Sequence, residues 1–75
     1  MPKRRRVFSG AFVVSVLVKK FDFGVVSQKG SHIKLRCGSC VTVVPLHKEL
    51  APGTLSGVLR LAKIEKEDFL RAIEK

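Results

Sequence analysis

The sequence predicts an α+β domain in which one helix precedes three consecutive strands and two further helices follow. Three observations carry that prediction. Residues 31–36 alternate, so that on a strand beginning at Ser31 the side chains of His32, Lys34 and Arg36 point to one side while Ile33, Leu35 and Cys37 point to the other. On either side of that segment, Val25 with Val26 and residues 41–44 form β-branched runs, divided from it by glycine-bearing bends. Downstream, Leu55, Val58, Leu59 and Ala62 recur at helical spacing and define one buried face.

The chain is short enough to be read as one domain over residues 1–75, preceded by a basic arm at 1–6. Residues 8–21 are rich in valine and read as a strand on propensity alone. Capping chemistry argues for a helix instead: Ser9 suits the N-cap, Phe8 before it can staple onto Val13, and Lys19 and Lys20 suit a helix C-terminus. Such a helix is apolar nearly all round and is expected to be covered on two sides, in part by a partner or a second copy.

Asp22 and Gly24 bracket Phe23 as a turn into a first strand at 24–28, and Lys29-Gly30 bends the chain into the second. Cys37-Gly38-Ser39-Cys40 is turn chemistry, and a third strand at 41–44 ends at Pro45. A two-residue loop would pair Arg36 with Val41 and Lys34 with Val43, setting apolar residues on the charged face. A loop of three or five residues would pair Arg36 with Thr42 and keep apolar against apolar, so the odd loop is expected. Pro52 opens the next helix, and Gly57 inside it suggests close packing. The last helix carries Glu65, Glu67 and Asp68 at its start, Arg71 and Lys75 near its end, and Phe69, Leu70 and Ile73 inward.

Charge bounds the function. Fifteen lysines and arginines against six acids give +9. Residues 1–36 hold nine basic residues and one acid, Asp22, whereas residues 37–75 hold six and five, so the excess sits with the His-Lys-Arg strand. A concentrated positive field suggests a polyanion as partner. Two cysteines cannot build a multi-bridge secreted scaffold, no signal peptide is evident, and the apolar stretch at 11–18 is far short of a membrane span; a reduced, cytoplasmic protein is expected.

The run Val25-Val26-Ser27-Gln28-Lys29-Gly30-Ser31-His32-Ile33-Lys34-Leu35, followed by Val44-Pro45-Leu46-His47-Lys48-Glu49-Leu50 and Gly53-Thr54-Leu55, resembles the HicA toxin family. The resemblance runs from Ser9-Gly10 to Glu67-Asp68-Phe69-Leu70 in one order. It implies a double-stranded-RNA-binding-domain-like fold, with a three-stranded antiparallel sheet and the helices on one face. It also implies ribonuclease activity on messenger RNA without metal or other cofactor, and a HicB-type antitoxin that covers the active surface. His32 stands at the family's catalytic histidine. Where family members carry glycine at two helix ends, this chain has Asp22 and Lys63, positions that need a left-handed backbone.

Metal-free RNA cleavage needs a base at the ribose 2′-hydroxyl, an acid at the leaving oxygen, and cations around the phosphorane-like transition state. Histidine fills either proton role near neutrality, which makes His32 the catalytic candidate. Lys29, Lys34 and Arg36 supply positive charge, Gly30 lets the backbone approach a phosphate, and Ser31 adds a donor. His47 is the candidate second proton carrier, although nothing in the sequence sets it beside His32. Cys37 and Cys40 read as turn residues, against the alternatives of half a zinc site with His32 or His47, or a redox pair. Two other functions compete with the nuclease: a non-catalytic RNA-binding module and a domain whose basic face meets an acidic protein.

Overall fold

A computed structural model describes residues 7–74; the basic arm at 1–6 and Lys75, both used in reading the sequence, lie outside the described residues. The elements run α1 (Gly10–Lys20), β1 (Gly24–Lys29), β2 (His32–Cys37), β3 (Cys40–Pro45), α2 (Pro52–Ala62) and α3 (Lys66–Ile73). The sheet is antiparallel in the order β1-β2-β3. This is the predicted α+β order, consistent with the double-stranded-RNA-binding-domain-like layout. No helix among the described residues is long and apolar enough to cross a membrane.

Local chemistry starts α1 as expected. Ser9 Oγ accepts from the Phe12 amide at 3.0 Å, satisfying one of the helix's free N–H groups. The Phe8 ring, expected against Val13, stacks on Phe12 with ring centres 5.6 Å apart and meets Phe69 of α3 edge-on at 5.5 Å, which ties the first helix to the last. Within this chain α1 is covered along one stripe, Gly10, Val13, Val16 and Leu17, while Phe12 and Val18 stay exposed. Cover on both sides is therefore not provided by the described chain.

α1 and α2 pack against β3, and α3 against α1. The covered face of the sheet contributes Leu35, Thr42 and Val44, each fully buried, to a core with Leu17, Leu55, Val58, Leu59 and Phe69. β1 stands outside this cover. Its residues are exposed throughout, and Val25, although opposite Leu35, remains 56% exposed.

The β2–β3 connection corrects the sequence reading. Cys37 pairs with Cys40, leaving a two-residue Gly38-Ser39 turn rather than an odd loop, and Lys34 faces Val43 while Arg36 faces Val41. Two forces outweigh the matching of apolar with apolar. Positive φ falls on the glycines of both hairpin turns, Gly30 (59°) and Gly38 (61°), and on neither Ser31 nor Ser39; Gly-Ser with the glycine first is the pattern of a type II′ turn, whose twist matches the strands. On the covered face Thr42, 0% exposed, donates its hydroxyl to the Val58 carbonyl of α2 at 2.8 Å, so a polar residue sits in the core without an unmet bond.

Gly57 is likewise corrected: a Cβ there would meet nothing within 4 Å, so no close packing requires it. Gly10 is the glycine that packing does require. A Cβ on it would collide with the Pro45 carbonyl oxygen and lie 2.9 Å from Leu46 Cα. Asp22 (φ 65°) and Lys63 (φ 61°) are both left-handed, as their positions at helix ends implied.

Candidate active site

The uncovered face of the sheet carries the candidate site. β2 presents His32, Lys34 and Arg36 as exposed residues, whereas Leu35 is buried and Ile33 and Cys37 are half-buried, as the alternation predicts. Ser31 lies in the turn rather than on the strand, which begins at His32; the parity of the faces is unchanged.

Across the sheet, His32 faces Lys29 of β1 on one side and Pro45 of β3 on the other, and Lys34 faces Ser27 and Val43. Directly opposed side chains stand roughly 4.5–5.5 Å apart at Cβ. The Lys29 ammonium is therefore within reach of the His32 ring, with Lys34 two residues along on the same face. Ser27, Gln28, Lys29, His32, Lys34 and Val43 line one shallow open depression. No carboxylate lines it, and no described carboxylate pairs with Lys29, Lys34 or Arg36, so these cations are free to meet an anion.

The backbone leading into His32 is held from two sides. The Leu46 amide donates to the Ser31 carbonyl at 2.6 Å, fixing the peptide that enters His32. Gln28 Nε2 donates to the Gly30 carbonyl at 3.1 Å, bracing the turn from β1. The segment that follows Leu46 is tied to the start of α1, where the Gly10 amide donates to the His47 carbonyl at 2.9 Å and the Leu50 amide to the Phe8 carbonyl at 2.8 Å. The N-terminus of α1, the 45–47 segment and the Gly30-Ser31 turn are thus linked by backbone bonds that end at the peptide leading into His32.

Not every residue singled out from the sequence comes to this place. Gly30 and Ser31 form the adjoining turn, both exposed residues next to the depression. Arg36 lies on the same face but four residues along β2, roughly 13 Å from His32 at the strand rise. His47 follows Leu46, so its backbone is one residue beyond the bond to Ser31; its ring is exposed and does not line the depression. Cys37 and Cys40 close the opposite end of the hairpin from His32, which rules out a cluster of the three. No group of three or more metal-ligating side chains is assembled among the described residues.

Ser27, Gln28 and Val43 line the depression but were missed by sequence reasoning. Ser27 reaches the open face opposite Lys34, while an extra residue at Val26, a β-bulge between Val25 and Ser27, moves Val25 from that face to the position opposite Leu35. Val43 belongs to the even register of the second hairpin. The Gly-Ser dipeptides at both turns were the signal for that register.

The family model for the HicA toxin of bacterial toxin-antitoxin systems matches residues 13–64, which include β1, β2, β3, α2 and the whole of the depression. The chain belongs to the HicA toxin family. No curated protein and no solved structure gives a significant match. Within the HicA match stand His32, Lys29, Lys34 and the Pro45-Leu46-His47 segment that braces the turn, while Ser9, Gly10 and α3 fall outside it.

Proposed function

We propose that this HicA-family toxin is a metal-independent endoribonuclease that cuts messenger RNA with His32 as its proton-transfer residue, and that a HicB-type antitoxin neutralises it by covering the open face of the sheet. The observation that carries the reading is the exposed His32 imidazole set directly across from Lys29, beside Lys34, in a depression free of carboxylates.

In this reading an RNA phosphodiester lies in the depression with its non-bridging oxygens toward the two lysine ammonium groups, where they stabilise the charge that builds at phosphorus. His32 takes the proton of the 2′-hydroxyl as that oxygen attacks phosphorus, or gives a proton to the departing 5′-oxygen. The products are a 2′,3′-cyclic phosphate and a 5′-hydroxyl. Arg36, further along the same face, meets a neighbouring phosphate rather than the reacting one. Gly30 and Ser31 offer backbone groups at the rim. His47 is the second imidazole nearest the braced turn along the chain; a His47→Ala rate loss as large as that of His32→Ala would make it the partner acid, and an unchanged rate leaves that proton to water.

Incubation with single-stranded RNA in excess EDTA tests the proposal. Cleavage products ending in cyclic phosphate are expected, and a strand with deoxyribose at every position should stay intact, since the 2′-hydroxyl is the attacking group. RNA that is bound yet uncut after prolonged exposure would leave a non-catalytic RNA-binding module.

A further inference from the structure

We propose that Cys37 and Cys40 form a dithiol site that small-molecule disulfides convert to a cross-strand disulfide. Both thiols are free, and both are half-buried at the margin of the core cluster. They are direct partners across the β2–β3 hairpin, flanking the two-residue Gly38-Ser39 turn. Directly opposed residues of an antiparallel pair project to the same face, with Cα atoms about 5.5 Å apart when hydrogen-bonded and about 4.5 Å when not. Either separation lies inside the Cα span of about 4.4–6.8 Å that a disulfide bridges; the Cβ atoms, roughly 4.5–5.5 Å apart across such a pair, have to draw in to about 3.5–4.5 Å, a small local shift at the end of the hairpin. The register that was unexpected from the sequence is what creates the site: an odd loop would have offset the two residues.

The reaction balances as two thiol–disulfide exchanges. The thiolate of one cysteine attacks a sulfur of the incoming disulfide, forming a mixed disulfide and releasing one thiol. The second cysteine then attacks the protein sulfur of that mixed disulfide, forms the Cys37–Cys40 bond and releases the second thiol. Two protein thiols are oxidised, and one small disulfide is reduced to two thiols. The bridge closes the end of β2 remote from His32, roughly 17 Å away along the strand, so it fastens the β2–β3 register without touching the depression. The inference stands on the hairpin alone and does not depend on nuclease activity.

The test treats the folded, reduced full chain at low concentration with oxidised glutathione and follows intact mass and free thiols. The expected product is a monomer lighter by two hydrogens with no free thiol and a raised melting temperature, while Cys40→Ser stops at a stable glutathione adduct on Cys37. Because the pairing is pre-formed by folding, the second exchange should run at least about tenfold faster in the folded chain than in guanidinium. Retained thiols, a lasting glutathione adduct on the unmutated chain, disulfide-linked dimers, or equal closure rates in the two states would each overturn the proposal.

Discussion

Replacing Lys63 by glycine should make this protein more stable. Lys63 follows α2 in the left-handed region, φ 61° and ψ 38°, with its amide donating to the Arg60 carbonyl at 3.0 Å and the Ile64 amide to the Leu59 carbonyl at 2.9 Å. That is a Schellman ending, in which glycine is preferred because a Cβ crowds the carbonyl. Holding a residue with a Cβ there costs roughly 1–2 kcal/mol. Glycine also gives the unfolded chain more freedom, which offsets about 0.4–1 kcal/mol. The net gain is then centred on ~0.8 kcal/mol, which for a domain of this size corresponds to a rise of roughly 3–6 °C in melting temperature. Thermal unfolding followed by circular dichroism measures it. Lys63→Ala separates backbone from charge: alanine keeps the Cβ and should give little of the gain. Asp22→Gly should help less than Lys63→Gly, because aspartate tolerates the left-handed region better. Equal melting temperatures for Lys63→Gly and Lys63→Ala would refute the reasoning, since strain at φ 61° would then have no energetic consequence.

Three further outcomes follow from the packing and charge. Gly57→Ala should raise stability by about 0.5–1 kcal/mol in chemical denaturation, since the helix gains propensity and the new Cβ meets nothing. Gly10→Ala should cost about 1–3 kcal/mol through collision with the Pro45 carbonyl; because Leu46 then shifts under Ser31, RNA cleavage should fall even at temperatures where the variant is fully folded. RNA affinity measured against salt should follow a log–log slope near −3.5 for about five phosphates, and Lys34→Ala should make the slope shallower by about 0.7.

What was legible in the sequence was local. Ser9 beside an apolar run, Pro52 at a first turn and the alternation from His32 to Cys37 each express a preference that nearby atoms enforce, and the structure keeps all three. The left-handed positions of Asp22 and Lys63 were visible because the family resemblance sets glycine there. The register of the second hairpin is set by its turn rather than by apolar matching across the strands. A Gly-Ser type II′ turn fixes the register from its own two residues, and the misfit it creates at Thr42 is relieved only by Val58, sixteen residues away. The same limit hid Gly10. Its need for no side chain arises from Pro45, on a strand that no local rule brings to it. The candidate site divides in the same way: His32 and Lys34 come from one strand and were readable, whereas Ser27 and Val43 join them only through a bulge and a register.

If the exposed His32 imidazole, across from Lys29 and beside Lys34, moves the proton when RNA is cut, removing it must slow cleavage without disturbing the fold. Single-turnover cleavage by the His32→Ala variant, with its RNA affinity and melting temperature measured in parallel, tests this most directly. The rate should fall by about 10²–10⁴-fold, the usual contribution of a proton-transfer residue, while binding and folding stay nearly unchanged. Cleavage by a folded His32→Ala variant at the unmutated rate would contradict it.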